Sequence, residues 1–175
     1  MTTHITNSND LITCADGTLR PRWASRSQLC WDYYDNEWGR PPTSLYGVFE
    51  LLTLVVFQVG VTWHAVLKKR DGFRHAFVLF NAPSVATFTD CDIARLLANP
   101  DIFRNRQKIQ ATIANAKALL ALEKDGEDFI SLIHQTSSSN TCLVKELKHR
   151  GFKYVGPTSL GIIQQATGVG RGEDS

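Results

Sequence analysis

The chain has 175 residues, with 19 Lys or Arg against 17 Asp or Glu and a formal net charge of +2. That length supports one domain with a sizeable core, with room for two lobes about a cleft. So weak a charge excludes a strongly basic polyanion-binding chain but permits DNA contact through local patches. No apolar run is long enough to span a bilayer, and the opening MTTHITNSNDLIT lacks the apolar stretch of a secretory signal. A cytoplasmic protein without membrane contact is expected. Cys14, Cys30, Cys91 and Cys142 form no Cys-x-x-Cys pair and read as free thiols. The histidines are scattered, with no pair at the spacing of a helical metal site.

In chain order, residues 1–19 are polar and without periodicity, and a flexible N-terminal segment is expected there. A dense stretch follows: Arg20, Arg22, Trp23 and Arg26, then WDYYDNEWG from Trp31 to Gly39, then Pro41 and Pro42. Aromatics interleaved with acids predict a structured loop with short helical turns folded over the core. Its rings serve either as packing or as the wall of a base-sized pocket. Next comes VFELLTLVVFQVGVTWHAVLKKR, from Val48 to Arg70. Its first half is apolar on every side, so it must be a buried helix, with Thr43 or Ser44 placed to cap it. Gly60 breaks the run. Thr62 can cap a second helix, whose Lys68, Lys69 and Arg70 suit the negative end of a helix dipole. Gln58 and Trp63 flank the break. Taken alone, Trp63 reads first as core and Gln58 as a satisfied polar group.

Helical spacing continues through Phe73, Phe77 and Phe80, and Pro83 sits near another helix start. Thr89 or Asp90 caps a helix carrying Ile93, Leu96 and Leu97, stopped at Asn99-Pro100. The longest helix is expected over 104–124, with Ile109, Ile113, Ala116 and Leu120 on one stripe and Gly126 at its end. A short helix over 128–134 precedes a polar, mobile loop at 135–140. No strand pair is evident, and the expected class is all-α.

Residues 141–167 form a second informative stretch. Leu143, Val144 and Leu147 mark an apolar face, while Lys145, Lys148, His149 and Arg150 lie around it. Gly151 stops that helix, residues 152–156 turn, and Pro157 opens the next. A glycine-bounded turn between helices collects backbone N–H groups on one exposed spot, which suits a phosphate of any sequence context. An ordinary helical hairpin with a solvated basic face accounts for the same residues.

Four stretches, in order, resemble the bacterial 3-methyladenine DNA glycosylase I family of the helix-hairpin-helix superfamily. They are YYDNEWG from Tyr33, the Thr62-Trp63 turn running into VLKKR, the 104–118 helix with Lys108-Ile109-Gln110-Ala111, and residues 150–156 with Gln165-Ala166. The resemblance covers residues 20–169, which makes that span a single helical glycosylase-like domain with its hairpin at 141–167 and a tail at 170–175. It implies the helix-hairpin-helix glycosylase fold, two helical lobes around a base-sized pocket. It also implies hydrolysis of the N-glycosidic bond of alkylated purines in DNA, after the base is flipped out. The implied partner is double-stranded DNA containing an alkylated base. The product is the free methylated purine, and the protein acts as a monomer without a cofactor.

By matched position, Tyr33 and Trp63 sandwich the base, with Trp23 and Val55 against the same pocket. A cation between electron-rich rings is favoured by about 0.5–2 kcal/mol. Gln58, Gly60 and Val61 match the turn that enters the gap left by the flipped base. Gly151, Lys153, Val155, Gly156 and Thr158 match the phosphate-gripping hairpin. No catalytic acid or base is assigned, because methylation at N3 already makes the base a good leaving group.

The chain departs from the family in three places. Val55 stands where the resemblance implies a glutamate that accepts hydrogen bonds from the base, and Glu50, five residues earlier, turns away from that face. Asp35 and Glu37 are expected to be structural. The implied zinc ligands are replaced by Pro21 and Tyr34 at the N-terminal end and by Gly172-Glu173 at the other, so no zinc is expected. Stacking of Tyr34 is the expected substitute that pins the N-terminal segment. Val61 replaces a bulkier leucine in the gap turn. The departures leave three readings: a glycosylase with altered base preference, a relative that recognises damaged DNA without excising the base, and a helical domain whose pocket holds another small aromatic ligand.

Overall fold

The computed structural model describes residues 11–135 and 139–169. Most of the segment expected to be flexible, part of the loop expected to be mobile, and the 170–175 tail lie outside the described residues.

Leu11–Thr13 (β1) pairs antiparallel with Leu19–Pro21 (β2), Leu11 opposite Pro21 and Thr13 opposite Leu19. This corrects two expectations, that residues 11–19 lack regular structure and that no strand pair exists. Three-residue strands are too short to show alternation. The available signal was Asp16-Gly17, a hairpin dipeptide. The Asp16 carboxylate accepts from the Thr18 amide and hydroxyl, and Gly17 takes φ +81°.

A short 3-10 turn, Ala24–Arg26, leads to α1, Gln28–Asn36, capped by the Ser27 side chain. A regular helix of nine residues replaces the short helical turns expected here. The observed helix sorts its mixed composition by face: Cys30 and Tyr33 are buried while Asp32 and Asp35 are exposed. Then follow α2 (Leu45–Gln58), α3 (Trp63–Lys68) and α4 (Arg70–Ala76). Ser44 caps α2 and Thr62 caps α3. Val78–Phe80 form a turn in which all three residues take left-handed φ, which buries Phe80 and leaves Val78 and Leu79 exposed. Beyond it lie α5 (Ala82–Ala86) and α6 (Asp90–Ala98), the latter closed by a Thr89–Asp92 capping box. The chain continues through α7 (Arg106–Lys124), α8 (Phe129–Ile133), α9 (Asn140–His149) and α10 (Pro157–Ala166). Apart from the hairpin, the regular elements of the described residues are helical, in the expected class. None of their helices is long and apolar enough to cross a membrane.

The centre is α2. From Val48 to Phe57 every residue but Glu50 is buried. Each large apolar side chain withdrawn from water stabilises the fold by about 1.5–3 kcal/mol, so neighbours must cover this helix on all sides. α7, α10, α3 and α5 do so. α10 then returns the chain to the aromatic loop after α1, where the Gly39 amide donates to Ala166 O at 2.8 Å.

Arg20 holds the N-terminal hairpin against α1. Its Nε and Nη2 donate to the Asp35 carboxylate at 3.0 and 2.5 Å, and Nη1 and Nη2 donate to Asp16 at 2.9 and 2.8 Å. Hydrogen bonds from the guanidinium are the largest cause holding both carboxyls below their usual range. Acids with depressed folded values stabilise the fold above their unfolded pKa, and lose that contribution as pH falls through the folded values. Arg20→Ala is therefore expected to lower Tm at neutral pH. Its deficit against the parent should narrow once pH falls below about 4. Thermal melts across an acid series measure this; a deficit independent of pH would assign the role of Arg20 to packing alone.

Gly168 lies where α10 meets Gly39. It has φ +87°, and a Cβ there would come within 2.6 Å of Gly39 O. Gly168→Ala is expected to destabilise the fold by about 2–3 kcal/mol, from left-handed strain and overpacking together. Urea unfolding measures this as a lower midpoint at unchanged slope.

Candidate functional site

Four aromatic residues converge beside the centre of the fold. Tyr33 comes from α1, Trp63 opens α3, Trp23 precedes the 3-10 turn and Trp38 follows α1. The local chain accounts for their placement. Gly60 at φ +81° reverses the chain after α2, and the Val61 amide closes the turn onto Gln58 O at 2.9 Å. Thr62 Oγ1 then accepts from the Ala65 amide and starts α3 with Trp63 pointing inward. The Ser27 hydroxyl meets His64 Nδ1 at 2.9 Å, joining the start of α1 to α3 next to that indole.

Tyr33 and Trp63 stack, with ring centroids 5.4 Å apart and planes at 30°. Trp23 lies 5.8 Å from Trp63, and Trp38 meets Trp63 edge-on at 5.6 Å. Trp38 was not singled out in the sequence. Its signal was its place in the YYDNEWG stretch, five residues past Tyr33. Tyr33 and Trp63 thus face one another as expected, but a base-sized gap between them is not open. A flat ring needs about 3.5 Å on each side, hence about 7 Å between the flanking rings. Tyr33 and Trp63 are only 6% and 5% exposed. Apolar faces with an empty slot between them forfeit dispersion contacts, so the rings close on each other.

Val55 is buried at 1% exposure in the middle of α2 and offers an apolar surface with no acceptor. One turn away Leu51, with Glu50 and Leu54, borders a cavity of about 230 Å³ that Tyr33 also lines. Glu50 was read as turned away from the site. The structure puts it on this neighbouring cavity, where its carboxylate is engaged: Oε1 accepts from Arg70 Nε at 2.6 Å, and Arg74 approaches at 3.3 Å. Glu37 takes another edge of the same guanidinium, accepting from Nη1 and Nη2 at 2.6 Å each. Arg70 in turn lies 5.6 Å over the Tyr33 ring. Burial pushes the Tyr33 hydroxyl above its ordinary range, with the Arg70 charge opposing.

Of the three residues matched to the gap turn, Gly60 is exposed and Gln58 and Val61 are half-buried. Gln58 Nε2 donates to Val61 O at 3.2 Å. A lysine from α7 also reaches this turn: Lys108 Nζ donates to Phe57 O at 3.1 Å and to Val59 O. Partial burial lowers the Lys108 pKa from its ordinary value.

The hairpin between α9 and α10 has Gly151 at φ +93° and Tyr154 at φ +56°. Phe152 and Val155 are buried and anchor it, while Lys153 and Thr158 are exposed. Gly156 caps α10 without a side chain, leaving the start of that helix uncovered on this side. The basic face is smaller than the sequence suggested, because Arg150 is bound to Glu127 at 2.8 Å and Glu146 at 2.6 Å. Lys145, Lys148 and His149 are exposed.

The two described positions matched to zinc ligands, Pro21 and Tyr34, carry none of the Cys, His, Asp or Glu side chains that zinc takes. Pro21 ends β2, and the Tyr34 ring lies edge-on to Trp23 at 5.7 Å. Residues 172–173 lie outside the described residues. Among those described, no three His, Cys, Asp or Glu side chains gather as a metal site would require. The N-terminal segment is tied by Arg20 as well as by Tyr34, and the sequence reading missed Arg20.

The chain's relatives agree with this architecture. A model of the methyladenine glycosylase family matches residues 23–142. DNA-3-methyladenine glycosylase 1 of Escherichia coli K12 is 38% identical over 166 residues, covering 84% of this chain and 89% of the relative. The DNA-3-methyladenine glycosylase of Haemophilus influenzae is 34% identical over 171 residues, with 87% and 92% covered. A crystal structure of 3-methyladenine DNA glycosylase I superposes with TM-score 0.76 at 38% identity, covering 85% of this chain and 92% of that one. The Staphylococcus aureus enzyme, solved to show the structural basis of 3-methyladenine recognition, superposes at 0.75 with 28% identity and 90% of each chain covered. With the family model spanning most of the helical domain and two relatives matched along nearly their whole length, the chain belongs to the methyladenine glycosylase family.

Proposed function

We propose that this protein is a DNA glycosylase that releases alkylated purines of the 3-methyladenine class from double-stranded DNA, acting as a monomer in the cytoplasm. The observation that carries the reading is the Tyr33–Trp63 stack with Trp23 and Trp38 around it. Such a box presents electron-rich faces to a flat cationic base, at about 0.5–2 kcal/mol per well-placed ring. Entry of the base requires the two rings to part from 5.4 Å to about 7 Å. The base then replaces the lost ring–ring contact with two of its own.

The chemistry asks little of the protein. Heterolysis of the C1′–N bond sends its electron pair to the base, which leaves neutral. Water adds to the sugar carbon and gives up a proton to solvent. The Tyr33 phenol, neutral at physiological pH, contributes its ring face. Val55 supplies an apolar wall, which suits an alkyl substituent and leaves a base amino group unpaired at roughly 1–3 kcal/mol. The turn carrying Gln58, Gly60 and Val61 enters the gap left by the base. The hairpin of Gly151, Lys153, Val155, Gly156 and Thr158 grips the phosphate backbone.

Incubation with methylated duplex DNA is expected to release free 3-methyladenine above the protein-free background, and Val55→Glu to raise that release about tenfold. DNA binding that weakens with salt, without release, would leave the reading of a relative that recognises damage but does not excise it. If Val55→Glu changes nothing in an active protein, Val55 does not face the base. Parting of the rings also alters indole emission. Titration with free 3-methyladenine should quench tryptophan fluorescence saturably in the parent and not in Tyr33→Ala. An unchanged spectrum at concentrations that inhibit excision would move the base elsewhere.

A further inference from the structure

We infer that α7 is the spacer that fixes the gap turn relative to the phosphate hairpin, with Lys108 and Asn115 as the positioning residues for the two. The inference rests on the proposed function for what those turns contact.

The two side chains are seven residues apart on one helix. Seven residues are two turns, so they project from nearly the same face about 10.5 Å apart along the axis. Lys108 reaches the end of α2, where Phe57 O and Val59 O accept from its Nζ. Carbonyls at a helix end have no intrahelical donor, and a lysine there completes them while opposing the negative end of the dipole. Within the turn, Gln58 bonds to Val61. The turn is thus internally closed and hung from α7 by one cation.

Asn115 is buried, and its amide makes a two-point clamp on the hairpin. Oδ1 accepts from the Lys153 amide at 2.7 Å, and Nδ2 donates to Lys153 O at 3.2 Å. The next residue, Tyr154, stands at φ +56°. A non-glycine residue there is strained, and a buried clamp offsets that strain. Both turns therefore take their position from α7, a single helix of 19 residues that packs along α2. On duplex DNA this would set the distance between the inserted turn and the gripped phosphate.

The test compares a duplex holding a tetrahydrofuran abasic analogue with the same duplex intact, by fluorescence anisotropy. Lys108→Met keeps the aliphatic stem and removes the donors. It is expected to weaken binding to the abasic duplex about tenfold and binding to the intact duplex less than about twofold. Lys108→Arg should restore most of the preference. Equal losses on both duplexes, or none on either, would overturn the assignment for Lys108. Asn115→Ala should weaken both duplexes alike and make the salt dependence shallower by about one phosphate contact. Because Asn115 is buried, amide exchange in the parent protein supplies the second measurement: the Lys153 amide should exchange slowly, and exchange at the rate of an open loop would overturn the clamp. A parent that neither prefers the abasic duplex nor releases a base would count against the proposed function. A parent that does both, with Lys108→Met unchanged, would count against this inference alone.

Discussion

A helix with no polar face cannot sit at the surface of a protein in water, and most of this structure follows from covering α2. Its residues from Leu51 to Phe57 are buried without exception. Helices from distant parts of the chain have to converge on it: α3 directly after it, α7 along its length, and α10 from the far end of the sequence. This convergence brings the aromatic loop after α1 and the start of α3 together. The ring cluster is thus a by-product of burying one helix, held in register by the Ser27–His64 contact and the Gly39–Ala166 backbone bond.

Two opposing demands meet at the ring cluster. Unfilled apolar space is unfavourable, so Tyr33 and Trp63 close to 5.4 Å. A flat ligand needs them apart. The proposed activity reconciles the two if the base brings more contact than the closed stack loses, which an electron-poor cationic ring does between two electron-rich ones. The charges beside the cluster are arranged not to compete. Arg70 lies over Tyr33 but is held between Glu37 and Glu50.

The surroundings differ at the positions where the resemblance implied departures from the family. At the N-terminal segment, positions matched to zinc ligands hold Pro21 and Tyr34, and Arg20 bridges Asp16 and Asp35 across the same region. A guanidinium between two carboxylates does mechanically what a metal ion between ligands does: it joins elements that apolar packing alone would hold loosely. Val55 itself offers no acceptor, and the nearby Glu50 is committed to arginines.

The sequence by itself determined the helical class, the buried central helix, its break at Gly60 and most of the caps. Those depend on periodicity and on residues within four positions of each other, where backbone geometry leaves few choices. Trp23, Tyr33 and Trp63 could be placed together through the family pattern, while Trp38 stayed open between packing and pocket wall. The β1–β2 hairpin escaped notice because strands of three residues carry no periodic signal. Only the tertiary structure decided that the rings touch, that Arg20 spans two acids, and that Lys108 and Asn115 each reach a distant turn. Apart from Arg20–Asp16, four residues apart, the polar partners in these contacts lie 15 or more residues from each other, and each side chain alone is an ordinary charge, amide or ring. Distance between such groups is set by how the helices pack, a property of the whole core that no local stretch encodes.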